Sequence, residues 1–150
     1  MRSPQQILAG AHTIAVVGAS RDPAKPAHSV PAQLVRYGWR VVPVNPFVDE
    51  LFGEPAYPSL TDLPMPVDLV NVFRPTPEAV AVVRQAVQIG APAIWLQSGI
   101  TSDEARRIAA AAGIDYVADR CIAVERSLGG LTRGRPDRDD QECSDRDGRT

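Results

Sequence analysis

The chain is predicted to fold as one α/β domain, a Rossmann-like, doubly wound, mainly parallel five-stranded sheet. Three observations predict this. Apolar runs of strand length alternate with capped, amphipathic stretches of helix length. The runs are nearly continuous, as strands covered on both faces must be. Each run also stops at a glycine, a proline or a polar residue that turns the chain. Strands and helices in this order need crossovers that pack on the faces of the sheet, hence parallel strands. With 150 residues, 44% of them hydrophobic, the chain suits a single domain.

The elements follow in order. Ser3, Pro4 and Gln6 have the layout of a helix start, with a hydroxyl for an orphan amide, a first-turn proline and a reciprocal glutamine. Thr13 to Val17 is the first strand, stopping at Gly18. After a polar loop, Ser29 to Gly38 sets Val30, Leu34 and Tyr37 on one face of a helix that a glycine ends. Trp39 to Val44 is the second strand, closed by Asn45-Pro46 because proline offers a ladder no amide and restricts the residue before it. Residues 47–66 are proline-rich and read as a connection with at most a helical turn at Ser59 to Leu63. Val67 to Phe73 is the third strand, and Thr76-Pro77-Glu78 starts a helix to Gly90 with a capping hydroxyl and an N1 proline. Ala93 to Gln97 is the fourth strand. Thr101 and Glu104 form a capping box for a helix ending at Gly113, and Ile114 to Ala118 is the fifth strand. From Arg133 to Thr150 five arginines and six acids stand among almost no apolar residues, too little to offset the entropy of ordering. The domain is therefore expected to span 1–132, with 133–150 a disordered polar tail.

Composition removes several function classes. A formal charge of -2 gives no overall field to gather nucleic acid or an anionic membrane surface, so an anion must be held locally. No apolar run reaches the roughly 18 residues of a membrane span, and the first residues lack the layout of a secretion signal, so a cytoplasmic protein is expected. Cys121 and Cys143 form no Cys-x-x-Cys spacing, so neither a disulfide nor a zinc site is expected. His12 and His28 are the only histidines, too few for a His-based metal cluster.

In a doubly wound sheet, ligands bind beyond the carboxyl ends of the strands, near the point where strand order reverses. Those ends read Gly18-Ala19-Ser20, Asn45-Pro46, Phe73-Arg74-Pro75, Gln97-Ser98-Gly99 and Asp119-Arg120-Cys121. The first has the clearest chemistry. Glycine lets the chain turn tightly, the following amides and the Ser20 hydroxyl can face a phosphate, and Lys25 adds a cation. The plain alternative is a simple turn beside a solvated lysine. Arg74, between a strand and a proline, is expected to project at the sheet edge toward a ligand or an interface. Arg120 beside Asp119 invites a local ion pair of little worth. Cys121 reads as a small buried hydrophobe, and Trp39 and Trp95 as core or dimer contacts. His28, at a helix start, can donate to phosphate, but without a carboxylate or serine partner it makes no catalytic case. No catalytic constellation is found. The G-x-G-x-x-G fingerprint is absent, Asn45 stands where a dinucleotide site carries an acid, and no P-loop Gly-Lys-Ser/Thr occurs.

The strings VGASRDPAKPAHSVPAQL, GWRVVPVNPF, YPSLTDLP, VNVFRPTPEAV, IWLQSGI and DRCIAVE, in this order and spacing, resemble the stand-alone bacterial CoA-binding domain proteins, relatives of the CoA-binding domain of the succinyl-CoA synthetase alpha subunit. The resemblance covers roughly Ile14 to Leu128. It implies a Rossmann-like domain that holds coenzyme A or an acyl-CoA without an established reaction of its own, as carrier, sensor or partner module. It further implies that Gly18, Ala19, Ser20 and Lys25 meet the phosphates and that Asn45 and Pro46 line the adenosine side. Phe73, Arg74 and Pro75 would wall the groove, with Gln97, Ser98 and Gly99 closing it near the pantetheine. Two departures stand out: the family often has arginine where this chain has Ser29, which bears on phosphate binding, and histidine where it has Arg126. Two other functions stay open from the fold, an NAD(P)-dependent oxidoreductase and an assembly scaffold. The missing fingerprint argues against the first and the polar strand ends against the second. A protein partner or a homo-oligomer is compatible with all three.

Overall fold

The computed structural model describes residues 1–133. In chain order it contains α1 (Pro4–Gly10), β1 (Thr13–Val17), α2 (Pro26–Arg36), β2 (Arg40–Val44), β3 (Glu50–Leu51), β4 (Glu54–Pro55) and a 3-10 turn (Leu60–Asp62). These are followed by β5 (Leu69–Val72), α3 (Thr76–Gln88), β6 (Ala93–Leu96), α4 (Asp103–Ala112), β7 (Asp115–Val117) and α5 (Ile122–Gly129). The expected five-stranded sheet is present and entirely parallel, in the order β2-β1-β5-β6-β7. The tail expected at 133–150 lies, apart from Arg133, outside the described residues.

Side chains alternate across the sheet, and both faces are covered. Ile14, Val16, Leu69 and Trp95 share one core with Ile7 and Leu8 of α1, Leu34 of α2 and Ile122 of α5. Ala15, Val17, Val70, Val72, Ile94 and Leu96 share the other with Ala79, Val83 and Ala86 of α3 and Ala105 and Ala109 of α4. This double cover explains why the strands read as continuous apolar runs. Trp39 and Trp95 are core residues, and each indole finds a carbonyl: Trp39 Nε1 donates to Leu8 O at 3.2 Å and Trp95 Nε1 to Arg120 O at 2.8 Å. From β1 the chain goes outward to β2, then returns past β1 to β5. Strand order thus reverses between β1 and β5.

Local signals set several ends correctly. Ser3 and Gln6 form the expected capping box, Gln6 N donating to Ser3 Oγ and Ser3 N to Gln6 Oε1. Others moved. Helix α2 starts at Pro26, three residues before the expected Ser29, because proline at the first position needs no amide partner. The N-cap of α3 is Pro75 and not Thr76, whose hydroxyl faces the Thr101 amide at 3.4 Å. In α4 the cap is Ser102, which accepts from Ala105 N at 3.0 Å, while Glu104 reaches Arg84 instead of closing a box with Thr101.

Two elements are additions. Strands β3 and β4 form a small hairpin whose turn puts Phe52 at φ 55° and Gly53 at φ 76°. Its Phe-Gly pair differs from the Asn-Gly or Asp-Gly that usually marks such turns. Arg40 binds Glu54 through two contacts of 3.0 Å and fastens the hairpin beside β2. Helix α5 has Cys121 at its N-cap with no side-chain cap of its own, so the sequence carries no start signal for it. No helix among the described residues is long and apolar enough to cross a membrane.

Candidate functional site

The site grows from the turn after β1. Gly18 takes φ +88°, donates its amide to Val44 O at 3.0 Å, and a Cβ there would stand 3.0 Å from Arg74 Cδ. Only glycine serves both the turn and the close approach of Arg74. Asn45, at the end of β2, ties two loops together: its Nδ2 donates to Ala19 O at 2.7 Å, and its Oδ1 accepts from Phe47 N at 2.7 Å. The Ser20 hydroxyl accepts from Asp22 N at 3.0 Å, which leaves its proton free to donate. The amides of Ala19, Arg21 and Ala27 have no hydrogen-bond partner among the described residues.

Helix α2 contributes a device of its own. Pro31 inside the helix has no amide for the carbonyl of Ala27, four residues earlier, and its ring crowds that oxygen. The oxygen instead accepts from Ser20 N at 3.0 Å, so the helix holds the loop. His28 Nδ1 lies 2.7 Å from Ser20 O. A carbonyl only accepts, so Nδ1 carries the proton and a neutral ring has no second N–H for a phosphate. The ring packs on Phe52 with centroids 5.0 Å apart.

Two adjoining cavities lie over the reversal between β1 and β5. The smaller, about 380 Å³, is lined by Gly18, Ala19, Ser20, Lys25, Asn45, Phe73 and Arg74 of the expected residues, together with Arg21 and Ala27. Arg21, Lys25 and Arg74 give it three cations, and no carboxylate is in its lining. The larger, about 490 Å³, runs between the end of β2 and α3. Gly18, Asn45, Pro46 and Arg74 line it with Phe47 and residues 78, 81, 82 and 85 of α3, one helical face at i, i+3, i+4 and i+7 spacing. Arg74 borders both cavities, and its Nε donates to Glu78 Oε1 at 2.6 Å, with Nη2 on the same oxygen. The sequence reading missed Arg21, Phe47 and Glu78. Arg21 and Phe47 lie within strings it quoted, and the α3 face has helical spacing.

Pro75, Gln97, Ser98 and Gly99 line neither cavity. Gln97 is buried, and its Oε1 accepts from Asn71 Nδ2 at 3.1 Å and from Ile122 N at 2.9 Å, capping α5 from the residue that follows β6. Ser98 and Gly99 are exposed at the neighbouring strand end. Gly99 N donates to Asp119 Oδ1 at 2.7 Å, so Arg120 pairs at 3.2 Å with Glu125 rather than with Asp119. Cys121 is partly buried against the core. No group of His, Cys, Asp and Glu able to hold a metal ion occurs among the described residues.

A doubly wound parallel sheet with a cation-lined groove at its strand-order reversal defines a Rossmann-like ligand-binding domain. Residues 12–127 match the family described as CoA binding domain. The chain belongs to this CoA-binding domain family. It is 34% identical over 124 residues to an uncharacterized Bacillus subtilis protein, YneT, covering 83% of this chain and 92% of that one. A solved Thermus thermophilus structure shares 45% identity at a TM-score of 0.80, covering 85% of this chain and 98% of that one. ADP-forming acetate-CoA ligase II of Archaeoglobus fulgidus is 31% identical over 94 residues, 61% of this chain but only 14% of the ligase.

Proposed function

We propose that this chain binds coenzyme A or an acyl-CoA along the carboxyl edge of its sheet, as a non-catalytic carrier, sensor or partner module. The division of the groove into two chemically different halves carries this reading. Three cations, a serine proton and free amides surround the smaller cavity, whereas mostly apolar walls surround the larger. Coenzyme A has the matching division, a phosphate-rich centre beside a flat purine. The pyrophosphate then lies against Gly18, Ala19 and Ser20 with Lys25 and Arg21. The adenosine enters between Asn45-Pro46 and α3, and Phe73, Arg74 and Pro75 wall the groove. The pantetheine leaves toward Gln97, Ser98 and Gly99. Asn45 in place of an acid supports coenzyme A over NAD, since a carboxylate there holds a ribose diol but repels a ribose phosphate. The CoA named for the Archaeoglobus ligase supports the same ligand.

Mass spectrometry of the natively purified protein tests for a retained cofactor. Isothermal titration is expected to rank coenzyme A above dephospho-CoA, and both above NAD. Tighter binding of NAD would move the protein to the oxidoreductase alternative, and binding of none of the three would favour a scaffold.

A further inference from the structure

The larger cavity contains one side chain that can only accept hydrogen bonds. Pro46, Phe47 and Pro77 give it flat apolar walls suited to the faces of a planar ring. Phe47 is 85% exposed, apolar area that a bound base would remove from water. The Ser59 hydroxyl in the same lining is already engaged, donating to Asp62 Oδ2 at 2.9 Å with Thr61 Oγ1 also 2.9 Å away. The Gln85 amide can donate or accept, so it is indifferent to which base arrives. The carboxylate of Glu78 is not. Both guanidinium contacts from Arg74 end on its Oε1 and hold it in place, which leaves Oε2 without a partner among the described residues.

We infer that Glu78 selects the base of the bound nucleotide, its Oε2 accepting a hydrogen bond from the exocyclic amine of a 6-aminopurine. The inference rests on the reading that coenzyme A occupies this groove. A 6-oxopurine presents a carbonyl oxygen at the same position, and a carboxylate repels it instead of binding it. Arg74, the donor-only group of the wall, has its Nε and Nη2 engaged by Glu78, so the free Oε2 is the charged atom left to read the base edge.

Coenzyme A bound to the full chain is displaced with adenosine 3′,5′-bisphosphate and, separately, with inosine 3′,5′-bisphosphate. The adenosine compound is expected to compete about tenfold better or more, the size of a hydrogen bond to a charged group. In Glu78→Gln the amide can keep Arg74 on its oxygen and offer its N–H to the base, so the preference is expected to vanish or reverse. Equal competition in the wild type overturns the inference and leaves coenzyme A binding intact, as does a Gln variant that folds and keeps the preference. Failure of coenzyme A itself to bind overturns the reading beneath it.

Discussion

Lys25 and Gln97 both stand at the carboxyl edge of the sheet, and their surroundings separate them. Lys25 is exposed at the mouth of the smaller cavity, its ammonium unpartnered among the described residues. Gln97 is buried and spends its amide oxygen on Asn71 and on the first amide of α5. From sequence the two looked alike, polar residues near strand ends, because a linear pattern does not say which polar group the fold will consume. Lys25→Ala is expected to weaken coenzyme A binding about tenfold, as loss of one charge-assisted contact, and to flatten the salt dependence of binding. The melting temperature should stay put, since the side chain holds nothing in the fold. An unchanged titration curve for this variant would place the phosphates elsewhere.

Among the elements, α2 shows how a helix can serve a loop. Its interior proline is normally a defect, costing an amide and a clash with the carbonyl four residues back. Here that carbonyl holds Ser20. Pro31→Ala returns an amide that competes for Ala27 O, so the Ser20 amide is expected to lose hydrogen-exchange protection and coenzyme A to bind several-fold more weakly. The helix itself should gain stability or keep it. Unaltered exchange at Ser20 would show that the loop holds its shape without the helix. The same element scale explains the two unforeseen pieces. Helix α5 is started by Gln97, 25 residues earlier in the chain, and the hairpin β3-β4 turns on Phe-Gly and is fastened by Arg40. Neither start is written next to the element it begins. By contrast the start of α1, whose cap and reciprocal partner lie within its own first turn, was legible in the sequence.

For the whole molecule, the last described residue closes the fold. Arg133 N donates to Tyr37 O at 2.7 Å, its Nη1 to Ala9 O at 2.6 Å, and its carbonyl would meet any Cβ on Gly38 at 1.4 Å. We expect a chain ending at Arg133 to melt and to bind coenzyme A as the full chain does, in line with the composition of 134–150. Removing Arg133 as well should lower the melting temperature by several degrees, because each lost hydrogen bond is worth about 1 kcal/mol. A fall already on removal of 134–150 would assign that segment a structural role. The sequence by itself determined the five strands, their parallel arrangement, the presence of the first four helices, and the polar character of the carboxyl edge. These follow from periodicity, glycine and proline, whose effects act within a few residues. Only the tertiary structure decided which edge residues face the groove. It brought Arg21 and Glu78 beside Arg74 at the reversal between β1 and β5, and it spent the amide groups of groove-lining Asn45 and of buried Gln97 on partners within the fold. A buried polar group must find a partner wherever the packing places one, and that partner can be any distance away along the chain.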